Sequence, residues 1–552
     1  MSTEKRIFIA IVISIGFLWA WAAIAPKLFP ELAKKPAPPK PAAQTTTAPT
    51  TQPTATATTP DAPPPAEQQP QAAAAPVSAE RVQLTTIDKP DYTVVLSNRG
   101  AQLVSFKLKK YPQKGIEAPV DLVKERAPSR TDFPFFIETQ KQNVTDQLNG
   151  ALYSVTENKD RSGRHVVEYR YSDGRVTATK TFRFSDQPYL FDFSSSIAPP
   201  IPYRIAIGPG IRTLGPQEQD TQVVTTGNGV VEVEDKFKII PREKGDRLQV
   251  FGPVGYIGIE DNYFLTLMRP TRAGDGLLRR QLFGQGQAKQ QRADLYAALN
   301  AAPDGTVAGD AFFGPKEAEV LEAYNLEDAL QFGWFGMIAR FFLDALLWIN
   351  KYTLNYGFAI IVLTILIKIV LYPLQHKQNV SMKKMQKAQP KIEAIKAKYK
   401  KARSDADQRQ KMNVEMMQLY QKEGINPMAG CLPLILQLPI LWGFYNLLSR
   451  AIELRGAPFM LWINDLSEKD PYYITPFLMT VTMFIQTWLT PATGDPMQRK
   501  IFLMMPLIFG FLFKDFPSGL VLYWLVQNIL TIIQQLIMNK WWKDHPEEIQ
   551  KA

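Results

Sequence analysis

One cysteine in 552 residues is the sharpest shortage of this chain. Cys431 lies in an apolar stretch, so neither a disulfide framework nor a Cys-based zinc site forms within one chain. Histidine is almost as scarce. His165, His376 and His545 stand far apart, without ligand-like spacing, and no metal is expected. HExxH, GxSxG and P-loop motifs are absent, as are paired intramembrane aspartates. Hydrolysis or ATP-driven work by this chain alone is therefore not expected, and no cofactor is implied. The strongly apolar stretches also lack carboxylates. Lys368 is the one formal charge in their interiors, within YGFAIIVLTILIKIVLYPL (356–374). A charge there costs roughly 2.5–3.5 kcal/mol on insertion scales and usually faces water or a partner rather than lipid. Snorkelling of its long stem toward the interface is the plain alternative.

What is present divides the chain. Residues 1–25 place Lys5 and Arg6 before an apolar run, either a signal peptide or an uncleaved anchor. Pro26 directly after AIA disfavours cleavage, so an anchor with its N-terminus in the cytoplasm is expected. Residues 26–80 are rich in Pro, Ala and Thr, cannot bury a core, and read as a disordered linker. Residues 81–325 carry strand signals, clearest in 92–108, 165–184 and 189–197, where β-branched and aromatic residues alternate between turn residues. One large antiparallel β-sandwich domain outside the membrane is expected. Residues 326–352 include Arg340 and Asp344, four apart on one helical face of an apolar segment. An amphipathic helix on the membrane surface avoids burying them.

Five spans follow within a core at 353–540: about 355–374, 427–448, 472–490, 500–513 and 517–538. The segment 376–424 between the first two carries thirteen Lys and Arg against five Asp and Glu, which places it in the cytoplasm. Its apolar spacing predicts a helical hairpin, turning near 403–407 and capped by Gly424. The parity works if the 326–352 helix does not span. Both termini are then cytoplasmic, with a short tail at 541–552.

Three spans offer polar faces. Gly357, Thr364, Lys368 and Gln375 align on the first; Thr475, Thr482 and Gln486 on the third; Tyr523, Gln527, Thr531 and Gln534 on the last. Such faces either bond helix to helix or line a wet groove with Lys368 at its floor. Met382, Met385, Met412 and Met416 crowd the hairpin, either as an adaptable apolar surface or as packing between its arms. Pro427, Pro433 and Pro439 suggest a bent second span.

The segments LYPLQHKQNVSMKKMQKAQPKI (371–392), INPMAGCLPLILQLPI (425–440), LWINDLSEKDPYYITP (461–476), DPMQRKI (495–501) and FPSGLVLYWLVQNILTIIQQ (516–535) resemble the YidC membrane protein insertase family. The anchor and large domain resemble its Gram-negative form; SNRGAQLVSF (97–106) is a weaker match to the periplasmic domain.

The resemblance implies an energy-independent insertase of the cell inner membrane, working alone or with the Sec translocon on nascent inner-membrane proteins. It implies a groove open to cytoplasm and lipid, with Lys368 as its charge and Thr364, Gln375, Thr482, Gln486, Tyr523, Gln527 and Thr531 as its polar lining. It further implies substrate contact at the hairpin methionines and an apolar slide at Leu434, Leu438, Met504 and Met505. The periplasmic domain resembles a supersandwich related to sugar-binding folds. Contact with lipid and brief contact with the ribosome are expected, and no specific nucleic-acid partner. The family commonly has Arg where this chain has Lys368, which keeps the charge and loses the five-donor fork. A secondary transporter, or a carbohydrate-binding protein acting through the β domain, are the competing readings.

Overall fold

The computed structural model describes residues 75–124, 132–215, 226–242, 248–283, 292–333, 335–399, 405–424, 432–489 and 496–544. The expected anchor, nearly all of the linker, Cys431, Pro427 and the tail beyond 544 lie outside them. So do the side chains of residues 432–436, Pro433 and Leu434 among them.

The first folded part is an antiparallel β domain of three sheets. Nine strands form the largest, in the order 236–240, 226–233, 256–261, 264–270, 306–315, 190–198, 177–184, 165–172 and 154–159. Five strands form the second and four the third, the latter holding Leu84–Asp88, Tyr92–Ser97, Gln102–Pro112 and Pro119–Asp121. Period-2 alternation sends one face of each strand inward. Thus Ala178, Phe182 and Phe184 are buried from one strand and Phe191, Phe193 and Ile197 from its neighbour. Phe135 fills the centre, with ring centroids 5.1 Å from both Phe182 and Phe193. The three strand regions read from alternation all lie in these sheets. One short helix, α1 (Gln142–Gly150), lies beside the strand Phe136–Thr139, and a second, α2 (Ala318–Ala323), follows the last strand.

A helix shorter than 326–352 occupies the segment expected to be amphipathic. It is α3, Gly336–Thr353, bounded by left-handed Phe335 and Leu354, whose geometry breaks the helix at both ends. Ala339, Phe342, Leu343, Leu346 and Ile349 are buried, while Met337, Phe341, Trp348 and Tyr352 are exposed. Arg340 Nε lies 3.3 Å from Asp344 Oδ1 on the exposed side.

Asn355 then caps α4 (Tyr356–Lys398), its Oδ1 accepting from the Gly357 and Phe358 amides. The first span and the first hairpin arm are one helix of 43 residues. The helix continues through Pro373 and Pro390, past the expected end of the first span near 374. The second arm is α5 (Ala406–Lys422), capped by Asp405 and followed by Gly424 at φ +63°. Lys391–Glu423 and Lys398–Glu415 ion pairs, at 2.7 and 2.9 Å, tie the arms together. Then come α6 (Leu432–Arg450), α7 (Ile474–Leu489), α8 (Pro496–Phe513) and α9 (Ser518–Asp544). Two stretches, Tyr356–Lys398 and Ser518–Trp542, are long and apolar enough to cross a membrane, and α7 and Phe502–Phe513 are shorter apolar helices. In the bundle α9 packs on α4, α6 and α7; α3 packs on α4 and α6; and α8 on α7.

Candidate functional site

The composition of α4 fixes where its charge points. Val362, Ile365, Leu366, Ile369 and Val370 are exposed on one side, an apolar surface suited to lipid. Ile360, Leu363, Thr364 and Lys368 are buried on the other, Lys368 at 9% exposure. Its ammonium is directed across the bundle, where Nζ donates to Thr531 Oγ1 on α9 at 2.8 Å. The Thr531 hydroxyl in turn donates to the Gln527 carbonyl at 2.7 Å. Lys368 thus faces a neighbouring helix rather than snorkelling along its own. No ion pair joins it to a carboxylate among the described residues. The buried atoms Gln527 Oε1 and Gln534 Nε2 have no hydrogen-bond partner among those residues either. A buried cation without an ion-pair partner and buried amide atoms without hydrogen bonds are each costly in a dry interior and cheap when water or a polar guest reaches them.

Two of the expected lining residues are fully buried. Thr364 is fully buried and its hydroxyl donates to the Ile360 carbonyl of its own helix at 2.6 Å. Tyr523 is also fully buried, stacked on Phe444 at 4.4 Å, and its hydroxyl accepts from Gln437 Nε2. Both belong to the packing that surrounds the charge. Gln375 and Gln486 are half-buried on their helices. Thr482 is half-buried, donates to the Leu478 and Met479 carbonyls, and accepts from Asn528 Nδ2 at 3.3 Å.

Asn528 and Gln437 were missed by the sequence reading. Each is an amide in an apolar helix, and that rarity was the available signal. Gly357, aligned with the polar face, instead serves close approach: an added Cβ meets Phe459 Cδ2 at 2.0 Å.

The methionines separate. Met385 and Met416, both half-buried, pack against buried Ala388 and Ile392 inside the hairpin. Met382 and Met412 are half-buried, and Met417 is exposed. At the hairpin's base, Val380 packs with Met538 and Trp542 of α9. Of the expected slide, Leu438 and Met504 are exposed and Met505 is half-buried. Leu507, Ile508, Phe511 and Leu512 extend the exposed apolar side of α8.

A cavity of about 750 Å³ lies in the β domain, lined by Thr179, Thr181, Ser194, Ser196, Arg272 and Asp304 among others. Arg272 and Asp304 form an ion pair at 3.2 Å.

A helical bundle with an apolar exterior and an inward-facing cation at Lys368, joined to a large antiparallel β domain, defines a membrane protein with an extramembrane domain. The YidC periplasmic domain family matches residues 84–345, and the 60Kd inner membrane protein family matches 348–545. The membrane protein insertase YidC of Geobacter metallireducens is 34% identical over 97% of this chain and 98% of its own length. That of Citrifermentans bemidjiense is 36% identical over 97% and 99%. A crystal structure of an active YidC insertase with its first transmembrane domain resolved is 21% identical, covering 84% of this chain and 94% of that one, with a TM-score of 0.37. The chain belongs to the YidC membrane protein insertase family.

Proposed function

We propose that this chain inserts and helps fold inner-membrane proteins by receiving the polar segment of an incoming chain beside Lys368. The observation that carries this reading is the buried Lys368 ammonium, held by Thr531 and without an ion-pair partner among the described residues. The barrier to insertion is the passage of a polar segment through about 30 Å of hydrocarbon. A wet cationic groove part-way across shortens the dry path and attracts acidic residues of the segment bound outward. Burial of the substrate's own apolar helix in lipid supplies driving force, so nucleotide hydrolysis is not needed. The exposed side of α8, with Leu438 on α6, offers that helix a route into lipid.

In this reading five helices, α4 and α6 to α9, cross the membrane behind an N-terminal anchor. The β domain is periplasmic, α3 lies at the outer interface, and the hairpin and both termini are cytoplasmic. The basic hairpin supports this orientation. Nascent inner-membrane proteins are the substrates, with the Sec translocon, the ribosome and lipids as partners.

The test replaces Lys368 with Arg, Gln or Glu and measures insertion of a substrate with an acidic translocated tail. Arg is expected to retain activity, Gln to lose much of it and Glu most. Glu performing as well as Arg removes the electrostatic part of the proposal. Deleting residues 81–320 separates the β-domain alternative: insertion persists at a reduced level here and disappears if that domain carries the activity.

A further inference from the structure

The outer loop between α6 and α7 grips both helices that carry the Lys368–Thr531 pair. At the start of α4, Asn355 Nδ2 donates to the Pro458 and Phe459 carbonyls at 3.2 and 2.9 Å. At the start of α9, the Ser518 and Gly519 amides donate to the carbonyls of Glu468 and Leu466 at 2.6 and 2.9 Å. The Ser518 hydroxyl donates to the Asp465 carbonyl at 2.9 Å. Residues 465–468 therefore form the seat on which α9 begins.

The β domain holds that same seat from the other side. Lys114 follows the long strand Gln102–Pro112, and its Nζ lies 2.7 Å from Glu468 Oε1, 3.0 Å from Asp465 Oδ2 and 2.9 Å from Ser467 Oγ. Its side chain is 8% exposed. Burial works against the charge, yet Asp465, Tyr263 and Glu468 hold its pKa above the ordinary lysine value. Neighbouring contacts fix the approach. Arg455 Nη1 donates to the Pro112 carbonyl at 2.9 Å, Asn262 Nδ2 to the Ser449 carbonyl at 3.0 Å, and the Ala318 amide to Glu453 Oε1 at 2.9 Å. One buried apolar cluster runs without a break from the β domain into α3, α4, α6 and α9.

We propose that Lys114 is a positioning residue for the intramembrane charge: by clamping residues 465–468 it fixes the outer end of α9, and so sets where Thr531 meets Lys368. The inference rests on the groove reading of Lys368. Thirteen residues separate Ser518 from Thr531, about 20 Å of helix. A helix is stiff over that length. A tilt of about 3° at the seat displaces Thr531 by about 1 Å, enough to break a bond of ordinary hydrogen-bond length. Without Lys114, the Asp465 and Glu468 carboxylates remain under the β domain with their shared cation gone. Their repulsion then loosens the seat.

The experiment uses the full-length protein in lipid bilayers and two substrates that differ only in carrying an acidic or a neutral translocated tail. Lys114→Met and Lys114→Glu are expected to lower insertion of the acidic-tail substrate by about 2- to 30-fold, the span of couplings carried through packed elements, and that of the neutral-tail substrate less. Hydrogen exchange of the amides at 518–531 is expected to speed up in both. The swap Lys114→Glu with Glu468→Lys restores insertion and protection, which also guards against simple misfolding of the single variants. Lys368→Gln is measured alongside. If Lys368→Gln leaves the acidic-tail substrate unaffected, the groove reading fails first. If Lys368→Gln is impaired while Lys114→Met changes neither insertion nor protection, the positioning role is overturned. Equal losses for both tails, without rescue by the swap, overturn it as well.

Discussion

Lys180 and Phe135 meet at the centre of the β domain, where the lysine ammonium donates to the phenylalanine carbonyl at 2.6 Å. The same Nζ reaches the Gly100 and Ala101 carbonyls at 2.7 and 3.3 Å, and the side chain is almost wholly buried. Burial pushes its pKa down to about 7, whereas an unfolded lysine titrates near 10.4. Between those values the unfolded chain holds a proton that the folded chain has shed, so this group makes stability rise with pH from about 7 to about 10. Lys180→Met is expected to flatten that rise. At pH 9, where the folded side chain is a neutral amine with two N–H groups facing three carbonyls, it costs about 1–3 kcal/mol, because those buried carbonyls lose their shared donor. At pH 6.5 the cost shrinks, because the variant no longer buries a charge. Thermal unfolding of both proteins across pH 6.5–9 checks this; parallel curves reject it.

Arg212 and Asp261 form the most deeply buried ion pair among the described residues of the β domain, with Nε 2.5 Å from Oδ2 and both side chains inaccessible. The other Asp261 oxygen accepts from the Tyr263 and Phe264 amides at 2.8 and 2.7 Å, and the guanidinium lies 5.0 Å from the Phe264 ring centroid. Asp261→Ala removes the acceptor of three hydrogen bonds and breaks the buried ion pair. A loss of about 3–5 kcal/mol is expected for breaking such a pair. Limited proteolysis of the full chain reads it as cleavage within the β domain at lower temperature. Wild-type resistance counts against it.

These relationships mark where the sequence stops being readable. The strands at 92–108 and 165–184 were legible because alternation is local and each strand has one buried face. Lys368 was legible because a charge in an apolar run stands out against its neighbours. The stripe at Tyr523, Gln527 and Thr531 was legible as a face, but spacing alone does not say that Thr531 meets Lys368 while Tyr523 packs on Phe444. Arg212 and Asp261 stand 49 positions apart, and Lys114 and Glu468 stand 354 apart. Such pairs leave no periodic trace. The continuity of α4 from the first span into the hairpin was not legible, because a proline such as Pro373 is disfavoured inside a helix by local rules. Around it the backbone keeps bonding, and the lysine-rich arm beyond is built of good helix formers, docked against α5.

Gly357 sits where α4 passes the loop between α6 and α7, with Phe459 Cδ2 and Cγ 2.0 and 2.4 Å from where a Cβ would stand. Both atoms belong to a rigid ring, so the neighbour yields only by moving the loop. Gly357→Ala is expected to destabilise the protein by about 1–3 kcal/mol, the usual cost of overpacking. Phe459→Ala in the same protein relieves most of the clash and recovers part of the loss. Melting in detergent compares the three proteins, and an unchanged transition for Gly357→Ala refutes the tight approach.

Thr531 gives the Lys368 ammonium its one side-chain acceptor among the described residues, at 2.8 Å. Valine has nearly the shape of threonine, so Thr531→Val removes the acceptor without opening a cavity. The ammonium then turns toward water or swings along α4, and the charge is no longer fixed opposite α9. Insertion of a substrate with an acidic translocated tail is expected to fall by about 2- to 10-fold, the range of one net hydrogen bond. Thr531→Ser keeps the hydroxyl and is expected to stay within about twofold of wild type, well inside that range. The double variant Thr531→Val with Lys368→Gln should be no worse than Lys368→Gln alone, because the threonine acts through the lysine. Additive losses in the double variant mean that Thr531 touches the substrate path by itself, and the pairing then has no part in insertion.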